Sequence, residues 1–131
     1  MYQSITIIGN LGKNPDMRYT PNGQAVTTFN VATSRPFTNA NGQKVKETCW
    51  FRVSMWGKQG EICNEYLKKG SRVMVEGRLV PDPETGGPRI FAKADGTSGA
   101  SFEVTGTRVV FLSAAEADQG NTAQDAGDVA F

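Results

Sequence analysis

The run Thr48-Cys49-Trp50-Phe51-Arg52-Val53-Ser54-Met55-Trp56-Gly57 alternates with period two, which fits a strand and not a helix. Successive side chains of a strand point to opposite faces. Cys49, Phe51, Val53 and Met55 therefore form one apolar face that can fill a core. The other face carries the chain's only two tryptophans, Trp50 and Trp56, with Arg52 between them. Large aromatics on a polar sheet face mark a binding surface. An arginine between two flat rings suits a partner that is both anionic and flat. Single-stranded nucleic acid offers phosphates to the arginine and base faces to the rings. Packing of either indole into a subunit interface is the competing reading.

A chain of 131 residues, 38% hydrophobic, fits one domain with a modest core plus a tail. After Met1 no basic stretch and apolar core of the secretory kind follows. No apolar run approaches the roughly 20 residues that cross a bilayer. A soluble, cytoplasmic protein without membrane contact is expected. Cys49 and Cys63 have no zinc-type spacing, and buried free thiols are expected in place of a disulfide. The chain has no histidine, which removes the usual catalytic base and the commonest metal ligand. No enzyme, no cofactor and no small-molecule substrate are expected.

The net charge of +1 hides an asymmetry. All 14 basic residues and nine of the 13 acidic ones lie in residues 1–112, so the body carries +5. The other four acids, Glu116, Asp118, Asp125 and Asp128, give the segment 113–131 a charge of −4. A basic body suits a polyanion, although +5 is also within reach of an ordinary surface.

Ser4-Ile5-Thr6-Ile7-Ile8-Gly9 is rich in β-branched residues and reads as a strand. Residues 12–19 read as a loop or irregular strand, and Thr20-Pro21-Asn22-Gly23 as a turn. Residues 24–34 form a second long strand with Phe29 and Val31 toward the core, and residues 35–46 a hairpin loop. After the tryptophan strand, residues 61–69 form a short helix with Ile62, Cys63, Tyr66 and Leu67 as its apolar stripe. Lys68 and Lys69 are placed in its last turn and Gly70 stops it. Residues 71–79 form a strand with Val73, Val75, Gly77 and Leu79 on one side. Residues 81–88 are an acidic loop, and residues 89–93 are expected to pair with 102–112. About five strands with one helix after the third long one predict an all-β, five-stranded Greek-key barrel of the OB-fold type. Beyond Leu112 the composition predicts disorder. Asp125, Asp128, Val129, Ala130 and Phe131 read either as a docking peptide or as random tail composition.

Several ordered blocks make the chain resemble the bacterial single-stranded-DNA-binding protein family. They are Ile8-Gly9-Asn10-Leu11-Gly12 with Pro15, Arg18-Tyr19-Thr20-Pro21-Asn22-Gly23 and Val31-Ala32-Thr33-Ser34. Trp50-Phe51-Arg52-Val53, Trp56-Gly57-Lys58, Glu65-Tyr66-Leu67-Lys68-Lys69-Gly70 and Val75-Glu76-Gly77-Arg78-Leu79 complete the series. Their joint order and spacing carry the match from Ile5 to about Leu79, and more loosely to Leu112. The resemblance implies an OB-fold, a homotetramer, and sequence-tolerant binding of single-stranded DNA in replication, recombination and repair. It implies stacking by Phe37, Trp50 and Trp56, and phosphate contacts from Arg52, Lys58, Lys68 and Lys69; Arg35 is a further candidate for phosphate contact. It further implies a nucleoid-associated location and recruitment of replication and repair proteins by the tail. Where the family has a further stacking aromatic, this chain has Pro81-Asp82-Pro83-Glu84, and Phe91 is the stand-in. The end Asp128-Val129-Ala130-Phe131 also departs from the family's Ile-Pro-Phe ending.

Other readings of single residues stand beside these. Phe37 can cap a barrel end, and Lys68 and Lys69 can serve only the helix dipole. A protein-docking OB module of the primosome-adaptor type is the alternative function. A metal-dependent nuclease would have to use Asp82 and Glu84, which have no ligand partner in view. Stacking and phosphate contact do not separate DNA from RNA.

Overall fold

The computed structural model describes residues 1–112. Its elements are β1 (Ile5–Leu11), β2 (Asp16–Tyr19), β3 (Ala25–Thr38), β4 (Lys44–Trp56), α1 (Gly57–Tyr66), β5 (Arg72–Val80), β6 (Arg89–Ala92) and β7 (Ser98–Phe111). Five of the strands close on themselves in the order β1-β5-β7-β4-β3. Asn10↔Ala32 and Leu11↔Val31 join β3 back to β1 and complete the ring. All barrel pairings are antiparallel except β4 with β7, which runs parallel from Phe51↔Phe102 to Ser54↔Thr105. This is the expected OB-type barrel, with the short β2 and β6 added on β3 and β7.

The period-two pattern decides the inside. Phe29, Val31, Val53, Met55, Val73 and Val75 are each at most 2% exposed and fill the barrel. Leu79 leaves that row and is exposed, because β5 there has passed the closed part of the barrel. Helix α1 plugs one end with Cys63, and Leu67 follows it into the core. The approach is close: a side chain on Gly60 would strike the Met55 carbonyl. Thr27, itself buried, donates from Oγ1 to the Gly60 carbonyl at 2.6 Å and pins the helix to β3.

Four expectations need correction. Residues 35–46 are not a loop: β3 runs to Thr38 and β4 starts at Lys44, so the two strands project as a long arm. Only 39–43 turn. The Asn39 side chain accepts from the Asn41 and Gln43 N–H groups, and Gly42 takes φ +79°. Part of 12–19 is also regular, since Asp16–Tyr19 pairs with β3. The helix begins at Gly57 and ends at Tyr66, with Leu67 in an extended cap conformation. Lys68 and Lys69 therefore lie just beyond its C-cap and not in its last turn. Finally, β6 pairs with Ser98–Ser101 and not with 102–112: β4 takes one edge of β7 at 102–105 and β5 the other at 103–111.

Cys63 is fully buried and free; burial pushes its thiol up to about 12. Cys49 is free and half-buried. Among the described residues no helix is long and apolar enough to cross a membrane.

Candidate nucleic-acid interface

The outer face of β4 is built as its alternation requires. Trp50 and Trp56 are 52% and 42% exposed, with Arg52 half-buried between them. Val53 and Met55, on the opposite face, have no exposure. The neighbouring β3 residues on the outer face are small or polar: Ala32 beside Trp50, Asn30 beside Arg52, Thr28 beside Ser54. On the β3 side the rings therefore stand above their neighbours.

Trp56 closes β4 and caps α1 with its backbone, and Lys58 follows in the first helical turn. A cation there opposes the helix dipole, so Lys58 is not placed for helix stability. Its position two residues from Trp56 fits a ligand role.

Continuing the alternation along the arm brings in residues that the sequence reading missed. Lys44 and Lys46 share the face of Trp50, opposite Thr38 and Pro36 on β3. The signal was present, since Lys44, Lys46, Thr48 and Trp50 keep the period. Phe37 pairs with Val45 and so lies on the other face of the arm, continuous with Cys49 and Phe51. The structure does not bring Phe37 onto the tryptophan face. Its ring is 38% exposed and lies under the Arg35 guanidinium, 4.9 Å from carbon to centroid. Arg35 in turn is held by Glu47 at 2.7 Å.

Phe91 goes the other way. It pairs with Gly99, while Arg89 pairs with Ser101, so both stand on the β7 face that carries Glu103. Glu103 is the parallel partner of Arg52. Its carboxylate sits 3.7 Å from Arg52 Nη1 and 3.2 Å from Arg89 Nη1. Arg52, Arg89 and Phe91 thus share one face, joined through one carboxylate. Past Ser101 the β6–β7 arm diverges from β4, leaving a groove of about 500 Å³ between the arms. Trp50, Arg52, Cys49, Phe51 and Phe102 are among its walls. Phe51 and Phe102 pack at 5.9 Å below it.

Lys68 and Lys69 are exposed, and the Lys69 N–H donates to Asn14 Oδ1 at 2.8 Å. The lysine pair therefore leans on the loop that follows β1. Asp82 Oδ1 accepts from the Glu84 N–H at 2.8 Å and so holds its own turn. Among the described residues no group of three or more His, Cys, Asp or Glu could hold a metal ion. Asp125, Asp128, Val129, Ala130 and Phe131 lie outside the described residues.

Comparison with known proteins decides the family. The model of the single-strand binding protein family matches residues 2–112. The chain belongs to that family. A single-stranded DNA-binding protein of Neisseria meningitidis is 34% identical over 123 residues, 94% of this chain and 67% of the relative. One from Wolinella succinogenes is 41% identical over 80 residues, 61% of this chain and 49% of its own length. The chain thus spans from about half to about two thirds of the length of these relatives. Among solved structures, a deletion mutant of the single-stranded DNA binding protein from Thermus aquaticus superposes with TM-score 0.64 at 33% identity, over 83% of this chain and 49% of that one. A Plasmodium falciparum single-strand binding protein in complex with single-stranded DNA has TM-score 0.69 at 24% identity, over 86% and 96% of the two chains, and supports the fold.

Proposed function

We propose that this protein binds and protects single-stranded DNA with little regard to sequence, during replication, recombination and repair. The observation that carries this is the exposed Trp50–Arg52–Trp56 row on the outer face of a barrel of this family. Stacking on an aromatic contributes about 1–3 kcal/mol per base, and every base has a π-face. A duplex hides those faces, so the indoles select single strands while the cations attract either form. Arg52, Lys58, Lys44, Lys46 and Lys69 neutralise phosphates and release counterions. Phe91 extends the stacking on the same face. Phe37 and Arg35 serve a strand that passes around the arm to its other side. Assembly as a homotetramer would repeat the site and multiply its contacts through effective concentration. The acidic segment ending in Asp128-Val129-Ala130-Phe131 would recruit replication and repair proteins, and the protein would act in the cytoplasm at the nucleoid. It is a binding protein and not an enzyme.

The test is tryptophan fluorescence titrated with oligo-dT of several lengths and salt concentrations, with light scattering for mass. Quenching on binding is expected, with affinity falling as salt rises. Unquenched fluorescence at saturating oligo-dT, or affinity indifferent to salt, would sink the proposal. The Trp50→Ala, Trp56→Ala double variant should lose single-strand binding by about thirtyfold or more, from about 1–3 kcal/mol per ring.

A further inference from the structure

The loop 12–15, between β1 and β2, lies over the outer sheet face beside Trp50 and Arg52. Two observations place it there. A side-chain carbon on Gly12 would come within 2.7 Å of both Cη2 and Cζ3 of Trp50, so the indole rests against the Gly12 backbone. Gly12 is not needed for an unusual φ; it is needed because nothing larger leaves the ring in place. The Gly12 N–H donates to the Asn30 carbonyl at 3.1 Å, which fixes the loop to β3 beneath it.

The second observation is a small, mainly polar pocket of about 100 Å³ lined by Lys13, Asn14, Asp16, Asn30 and Arg52, with Thr28 and Phe29. Its volume equals the liquid share of roughly three waters, enough for a phosphate group. Two cations and one carboxylate give the lining a net positive charge. Lys13 is exposed and, among the described residues, has no ion-pair partner. Arg52 gives only Nη1 to Glu103, at a loose 3.7 Å, so its remaining donors are available. Asn14, at the pocket's edge, holds the Lys69 backbone.

We infer that Lys13 and Arg52 together hold one phosphate of the bound strand in this pocket, and that Gly12 positions the Trp50 ring for the base beside it. This inference rests on the single-strand reading above and adds a wall to it. A phosphate at Lys13 and Arg52 puts its own base next to Trp50, and the following phosphates run toward Lys69. The Asp16 carboxylate disfavours a phosphate near β2 and so directs it to the Arg52 side.

The experiment uses the full chain, oligo-dT and a salt series. Lys13→Ala should weaken binding three- to tenfold at low salt and reduce the salt slope by about 0.7, the value for one phosphate of a single strand. Lys13→Arg should restore the slope. If the two cations share one phosphate, adding Lys13→Ala to Arg52→Ala should cost far less than it does in the unsubstituted chain. Gly12→Ala should weaken binding and shift the tryptophan emission, and its effect on binding should vanish in a Trp50→Ala background. Failure of the unsubstituted chain to bind oligo-dT would sink the single-strand reading itself. Normal binding by the unsubstituted chain overturns only this inference if Lys13→Ala leaves the slope unchanged. Strict additivity of Lys13→Ala with Arg52→Ala, or of Gly12→Ala with Trp50→Ala, would overturn it too.

Discussion

Thr27 is a hydroxyl with no solvent exposure, and such a group must find a partner or cost stability. It donates to the Gly60 carbonyl at 2.6 Å, which satisfies both groups and ties β3 to α1. Thr27→Val keeps the shape and removes the donor. We expect it to destabilise the protein by about 1–3 kcal/mol, the usual result of stranding a buried acceptor. A urea melt checks this, and an unchanged midpoint would show that the carbonyl is satisfied otherwise. Cys63 gives a pH prediction at the same scale. Its folded thiol is pushed up from 9.0 to about 12 by burial, so the fold favours the protonated form. That contribution is fully present below about pH 9 and is lost as pH rises toward 12. Urea midpoints taken from pH 8 upward should fall, and should fall less in Cys63→Ala. Equal slopes in the two proteins would rule Cys63 out as the cause.

At the scale of elements, the β3–β4 arm shows what alternation can and cannot tell. The inner and outer faces of β4 follow from the order of residues alone, and Val53, Met55, Trp50 and Trp56 all lie where that order puts them. The length of the arm was not legible, because Arg35, Pro36, Asn39 and Gly42 read as loop-forming residues. Cross-strand pairing outweighs that composition: Glu47 holds Arg35 across the arm, while Arg35 covers Phe37 along the same strand. The same gap hid Lys44 and Lys46; Phe37, a stacking ring by family resemblance, lies on the opposite face of the arm from the tryptophans. Phe91 was named as a stand-in aromatic, but the face that it shares with Arg89 could not be read from sequence, since it depends on Glu103 lying beside Arg52 across a parallel pairing of distant strands. The arm itself offers a test. Gly42 turns with φ +79°, where a Cβ is strained. Gly42→Ala should loosen the arm tip with little loss of global stability, since 39–43 touches no core residue. Amide exchange at Phe37 and Val45, the hydrogen-bonded pair next to the turn, should speed up while the melting midpoint shifts by only a few degrees.

Across the whole molecule, the described residues divide into a closed barrel and two arms that leave it. Closure removes free edges from the barrel strands and gives one connected core from Ile7 to Val104. The β6–β7 arm has no such support: all four residues of β6 are exposed, and β6 pairs only with the first residues of β7. Regions with few buried apolar contacts open with small free energies, whereas core strands open only with the whole fold. Amide exchange of the free protein should therefore be fast in β6 and slowest at Val73, Val75 and Val53. A bound strand on the Trp50–Arg52–Arg89 face would bridge barrel and arm, because these side chains come from β4 and β6 but share Glu103. Saturating oligo-dT should then slow exchange in β6 and at Ser98–Ser101 by tenfold or more, with little change at the already protected core. Protection confined to β4, with β6 exchanging as in the free protein, would remove Arg89 and Phe91 from the interface and leave the stacking site to the tryptophan strand alone.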